Sequence, residues 1–228
     1  MHALIVAHGQ PSAPPVPEAA LGALAARVRN HLPGWVVKSA TMATPYLLEQ
    51  RARDCPAGTL VYPLFMADGW FVRTKLRRRL NGFAVQFLDP MGLDPALPAL
   101  AANLVQGHAA SHGWDMGETT LLLPAHGSAR SDLAADATRA FAQALQPLLP
   151  DTPIRLGFVE QPPSIEDAAH GLSEQAISLP FFAAKGGHAL EDVPQALDAA
   201  DFKGVRLPPL GLACGIPALI ANALRRAV

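Results

Sequence analysis

The chain is poor in cysteine, in net charge and in long apolar runs. Only two of its 228 residues are cysteine, Cys55 and Cys214, and they form no Cys-x-x-Cys pair. A disulfide framework, a cysteine-based zinc site and a four-cysteine iron–sulfur cluster therefore have no sequence basis. Lys and Arg number 18 against 19 Asp and Glu, a net charge of −1. That balance excludes nucleic acid binding driven by bulk positive charge. No run approaches the ~20 apolar residues that span a bilayer, and the apolar stretch from Gly211 to Ala221 is broken by Gly215 and Pro217. The opening residues lack the basic flank, apolar core and cleavage site of a signal peptide. No membrane association is expected, and the chain reads as soluble and cytoplasmic. Glycine-rich phosphate loops are missing too: there is neither a Gly-x-x-x-x-Gly-Lys nor a Gly-x-Gly-x-x-Gly run.

What is present points to a folded chain. Apolar residues make up 50% and charged residues 16%, a composition that excludes disorder. The length corresponds to about 1.5 domains at ~150 residues each. An internal repeat resolves that number. Leu4-Ile5-Val6-Ala7-His8-Gly9 returns as Leu122-Leu123-Pro124-Ala125-His126-Gly127, an offset of 118. Tyr62-Pro63-Leu64-Phe65 returns as Leu179-Pro180-Phe181-Phe182 at 117, and Pro98–Asn103 returns as Pro217–Asn222 at 119. Three matches, in one order and at nearly one offset, define two related halves, 1–113 and 114–228, joined near the polar stretch Ser111–Glu118.

Each half alternates short apolar runs with helical periodicity. Strands are expected over Ala3–Ala7, Trp35–Val37, Thr59–Phe65, Phe83–Leu88, Thr120–Ala125, Ile154–Val159, Ala176–Phe182 and Val205–Leu207. Helices are expected over Glu18–His31, Val72–Leu80, Leu97–Val105, Asp132–Leu149, Val193–Ala200 and Pro217–Arg226. Continuously apolar strands alternating with helices predict α/β architecture: two tandem, pseudo-symmetric, doubly wound parallel-sheet halves.

Ligands of such sheets bind beyond the C-terminal strand ends. In the second half those ends carry His126, Glu160 and, in the Gly186-Gly187-His188 loop, His188. Any one of them has an ordinary role as a hydrogen-bonded or solvated loop residue. Ser164-Ile165-Glu166-Asp167 is itself a plausible helix cap beside Glu160. Together, two imidazoles and a carboxylate on one sheet edge form a recurring ligand set for a reactive divalent metal. The first half keeps His8 but has Ala43 and Phe71 where Glu160 and His188 recur, so the complete set exists only in the second.

These residues resemble the sirohydrochlorin chelatase family, the class II tetrapyrrole metal chelatases. The resemblance rests on Leu122–Ser128, on Gly157–Ala168 and on Leu179–Pro194, and with the duplication it covers nearly the whole chain. It implies insertion of Co(II) or Fe(II) into sirohydrochlorin or a closely related tetrapyrrole, without ATP, in cobalamin or siroheme synthesis. It implies no permanently bound cofactor, the metal being a substrate. His126 and His188 would hold the metal and accept pyrrole protons, with Glu160 as third ligand or proton relay, and Ser128 would belong to the substrate site. In the first half His8, Trp70, Phe71, Arg73 and Arg77 would supply a stacking wall and cations for the carboxylates of the macrocycle. The first-half alternative is a buried aromatic pair beside a solvated helical face. With both halves in one chain, a monomer is possible. Two other functions compete. A non-catalytic metal or tetrapyrrole carrier would use the same ligands. A histidine phosphatase would need arginine before its His-Gly, where Ala7 and Ala125 stand.

Overall fold

The computed structural model describes residues 1–129 and 132–228. Its strands form two four-stranded, wholly parallel sheets. The first contains β1 (His2–Ala7), β2 (Val36–Thr41), β3 (Thr59–Pro63) and β4 (Val85–Phe87), in the order β2-β1-β3-β4. The second contains β5 (Thr120–Ala125), β6 (Ile154–Phe158), β7 (Ala176–Ser178) and β8 (Val205–Arg206), in the order β6-β5-β7-β8. The expected architecture is observed, and one topology is used twice.

The register repeats as well. Ala3 pairs with Val37 in the first sheet, and Leu121 with Ile154 in the second. Central strands β1 and β5 are buried along nearly their whole length, with Leu4, Ile5, Val6, Leu121, Leu122 and Leu123 fully inaccessible. Burying each such side chain contributes about 1.5–3 kcal/mol. This is why both strands read as unbroken apolar runs rather than alternating ones.

Helices connect the strands. They are α1 (Pro15–Asn30), α2 (Leu47–Arg53), α3 (Arg77–Arg79), α4 (Leu97–His112), α5 (Leu133–Leu145), α6 (Ile165–Ala169), α7 (Val193–Ala199) and α8 (Ile216–Arg226). Proline starts α1 at a position that needs no N–H, and Leu21, Ala25 and Val28 give it one buried stripe. α6 begins at Ser164, whose hydroxyl accepts from the Asp167 N–H at 3.0 Å, the geometry of an N-cap.

Several expected boundaries move. The helix expected over Val72–Leu80 is a π-helical turn, Phe71–Leu76, running into α3. A matching π turn spans His188–Asp192 before α7. The strand expected over Ala176–Phe182 is assigned only to Ser178, although the Leu179 and Phe181 N–H groups still donate to the Leu122 and Pro124 carbonyls of β5 at 2.9 and 2.7 Å. The helix expected over Asp132–Leu149 ends at Leu145 and tightens into a 3₁₀ turn around Pro147. Helix α2 was not expected from the sequence: it is a seven-residue helix with only Leu48 and Ala52 buried.

The compact units are not the two sequence halves. Unit 1 comprises Met1–Asp94 with Cys214–Val228, and unit 2 comprises Pro95–Ala213. The boundary expected between 113 and 114 therefore moves, because the two repeats exchange their last helices. α4, from the first repeat, packs on α5. α8, from the second, packs on α1 and β3, and Arg226 binds the buried Asp94 carboxylate at 2.9 Å. The final helices bury broad apolar faces, including Leu97, Ala101 and Val105 in α4 and Ile216, Ile220 and Leu224 in α8.

Candidate metal centre

In unit 2, three loops deliver three donors. His126 follows β5 directly, at the edge where the chain turns through Gly127 (φ +66°). A Cβ on Gly127 would lie 2.8 Å from Gln161 Cγ and 2.9 Å from Phe158 Cβ, so glycine is required by both backbone conformation and space. Glu160 follows β6, held by its N–H donating to the His126 carbonyl at 3.0 Å. His188 opens the π turn after β7. Donor atoms of His126, Glu160 and His188 all lie within 4.8 Å of one another. The imidazole rings meet edge-on, with centroids 4.4 Å apart and an interplanar angle of 75°. Glu160 Oε2 is 3.8 Å from His126 Nδ1.

Both rings have a defined tautomer. His126 Nδ1–H donates to the Gly127 carbonyl at 2.9 Å. His188 Nδ1–H donates to Asp192 Oδ2 at 2.5 Å. In the neutral ring this arrangement puts the lone pair on Nε2, the form a metal ligand or proton acceptor needs. All three side chains are roughly two-fifths exposed. A divalent ion with bonds of about 2.1 Å holds its donors roughly 3–3.5 Å apart, so a modest contraction of these half-exposed side chains would close the set. With three protein ligands, further coordination positions stay open. Ser128 sits beside this set, its N–H donating to Gln161 Oε1 at 2.8 Å.

Unit 1 repeats the frame with other side chains. The Ala43 N–H donates to the His8 carbonyl at 2.9 Å, the same bond that holds Glu160, so a methyl group stands where the carboxylate would be. Phe71 meets His8 edge-on at 4.3 Å and 87°. His8 Nδ1–H donates to the Gly9 carbonyl at 2.8 Å. Among the described residues, the one set of three potential metal donors is that of unit 2.

A concavity of about 470 Å³ opens on unit 1, lined by His8, Trp70, Phe71, Lys75, Arg78 and Arg79 among others. Trp70 is 56% exposed at this surface. Arg73 and Arg77 do not line this concavity. Arg73 instead binds Asp68 at 2.8 Å, and Arg77 lies over the Phe87 ring at 4.7 Å. The cations that do line it are Lys75, stacked over Trp70 and Phe71 at 4.9 and 5.0 Å, the exposed Arg78, and Arg79. Arg79 is already engaged, gripping both oxygens of Glu49 at 2.6 and 2.7 Å and the Met42 carbonyl at 2.6 Å. That grip holds the Glu49 carboxyl below its usual range. Helical spacing explains the sorting: Lys75 and Arg78 are three residues apart on one face. Asp192 was also missed as a partner of His188, although His and Asp at i, i+4 on a helical segment is a readable signal.

The CbiX family pattern matches residues 120–227, the stretch that holds all three donors. The solved structure of CbiX, described as the terminal enzyme for biosynthesis of siroheme in denitrifying bacteria, is 44% identical to this chain, covers 100% of both chains and has a TM-score of 0.91. This chain belongs to the CbiX family. The resemblance to sirohydrochlorin chelatases stated from the motifs is thus borne out, in the long two-half form. More distant structures share the fold. A multi-domain Deinococcus radiodurans protein with structural similarity to chelatases is 21% identical over 98% of this chain and 54% of its own, with a TM-score of 0.72. SirB from Bacillus subtilis, solved with Fe³⁺, is 16% identical over 99% of this chain and 94% of its own, with a TM-score of 0.71. No curated protein sequence matches the chain. Among the described residues of this CbiX-family chain, no helix is long and apolar enough to cross a membrane.

Proposed function

We propose that this chain is a chelatase that inserts Co(II) or Fe(II) into sirohydrochlorin or a closely related tetrapyrrole, without ATP, in siroheme or cobalamin synthesis. The observation that carries this reading is the convergence of His126, Glu160 and His188 in unit 2, in a family whose 44%-identical relative is described as an enzyme of siroheme biosynthesis. The metal is a substrate, and the reading calls for no resident cofactor. Because unit 2 supplies the whole donor set, a monomer suffices.

The chemistry follows from the balance. A divalent ion enters a free-base macrocycle, two pyrrole N–H bonds break, and two protons leave. His126 and His188 each offer an Nε2 lone pair, suited first to the metal and then to a proton. Glu160 adds the negative charge that offsets the ion and is the third ligand or the proton relay. Open coordination positions let macrocycle nitrogens replace protein donors without the ion being released to water. On unit 1, Trp70 and Phe71 offer aromatic surface, and Lys75 and Arg78 offer cations for the substrate carboxylates. His8 on unit 1 and Ser128 on unit 2 would add further polar contacts to the substrate.

The test is the absorbance change of excess sirohydrochlorin with Co(II), Fe(II), Ni(II) or no metal. The proposal expects many turnovers per chain with Co(II) or Fe(II). Conversion that stops at one equivalent would identify a carrier on the same scaffold. A rate equal to the protein-free rate with every metal would refute the chelatase reading.

A further inference from the structure

Asp192 is a residue that the chelatase reading does not use. It lies four residues after His188 on the π turn that precedes α7, and its Oδ2 accepts the His188 Nδ1–H at 2.5 Å. Its position at the start of α7 offers an ordinary explanation, a carboxylate capping a helix. The structure speaks against that: Asp192 occupies the N-cap position of α7 but makes no side-chain cap hydrogen bond. Its carboxylate is turned to the imidazole instead.

Unit 1 supplies an internal control. The same π turn recurs over Phe71–Leu76, with Phe71 in place of His188 and Lys75 in place of Asp192. Lys75 Nζ lies 5.0 Å from the Phe71 ring centroid. In both units the fifth residue of the turn reaches back to the first. Its charge matches what that first ring can use: an anion where the ring has an N–H to give, a cation where it has only a π face. The turn therefore sets the contact and the residue type sets its chemistry. Single π turns inside helices recur at functional sites.

We propose that Asp192 is a positioning residue for metal binding: it fixes the ring orientation and tautomer of His188, so that Nε2 carries the lone pair. This rests on the reading of His126, Glu160 and His188 as metal ligands. Carboxylate partners of metal-bound imidazoles act in this way, and losing one typically weakens metal affinity 10–100-fold. His126 has a backbone carbonyl for the same purpose, which no substitution of a side chain removes. The two imidazoles thus differ in how replaceable their supports are.

The experiment is a Co(II) titration of the full chain, followed by the visible absorption of the bound ion, for the parent, D192A, D192N and H188A. D192A is expected to bind about 10–100-fold more weakly with an altered spectrum. D192N, whose amide oxygen can accept the same hydrogen bond, is expected to recover most of that affinity and the parent spectrum. If H188A loses binding while D192A keeps the parent affinity and spectrum, the positioning role is wrong and the metal assignment stands. If D192N is as weak as D192A, the hydrogen bond is not the cause and the proposal also fails. If H188A itself binds Co(II) like the parent, the metal assignment fails and Asp192 has nothing to position. A fold defect confined to D192A would leave D192N and its spectrum as the deciding pair.

Discussion

Two ring pairs summarise the molecule. In unit 1, His8 meets the edge of Phe71 at 4.3 Å. In unit 2, His126 meets His188 at 4.4 Å. Strand order, register and the backbone bonds that fix Ala43 and Glu160 are shared. Only the groups on that frame differ: carboxylate against methyl, imidazole against phenyl, Asp192 against Lys75. A fold can thus keep its packing while only one of its two copies carries a set of potential metal donors. Packing depends on buried side chains of the right size, whereas metal binding depends on particular donor atoms.

The comparison can be broken first in unit 2. H188F gives that unit the ring that unit 1 already carries in the same position. It should lower the rate of metal insertion by more than about 100-fold, beyond the effect of losing an outer-shell partner, while leaving the thermal midpoint near that of the parent. A rate within a few-fold of the parent would mean that the donor set is not where metal is handled.

The reverse exchange is next in size. A43E together with F71H should give unit 1 a second Co(II) equivalent, measured by equilibrium dialysis. Its affinity should be about 10–100-fold below that of unit 2, because Lys75 stands where Asp192 supports His188. Adding K75D should then tighten it. Failure of all three changes to create a second equivalent would show that the frames are less alike than their backbone bonds indicate.

Charge reversal sharpens the comparison at the concavity. K75E with R78E should weaken tetrapyrrole binding about 10-fold at low salt and less at high salt, as expected of exposed charges. The same reversal at Arg73 and Arg77, which do not line the concavity, should have the smaller effect. Equal effects from the two pairs, read by fluorescence quenching, would overturn this division.

The smallest effect concerns stability. Unit 1 carries the Arg79–Glu49 ion pair, and the equivalent positions in unit 2 are Ala196 and Glu166, which cannot form it. Arg79 lowers the Glu49 pKa from its ordinary 4.5. A carboxyl depressed in the folded state contributes stability above its unfolded pKa, and loses it as pH falls through the folded one. E49Q should therefore cost on the order of 1 kcal/mol at neutral pH, and the difference from the parent should vanish in acid below the folded pKa of Glu49. Denaturant titrations at several pH values would show it.

Much of the frame was readable from residues alone, because buried parallel strands announce themselves as apolar runs and the repeat doubled each signal. His126, Glu160 and His188 were readable for the same reason: each follows such a strand. The exchange of α4 and α8 between the units was not, since a helix sequence records an apolar face but not which sheet covers it. Nor were the π turns, whose helical periodicity looks ordinary over five or six residues. Lys75 and Arg78, three residues apart, line the unit 1 concavity, whereas Arg73 and Arg77 do not.

The central claim is that one donor set, in unit 2 alone, handles the metal. A Co(II) titration of the parent chain and of H188F, with bound metal counted per chain, tests it most directly. The account predicts one equivalent for the parent and none at the same concentrations for H188F. Two equivalents in the parent, or one that survives H188F, would contradict it.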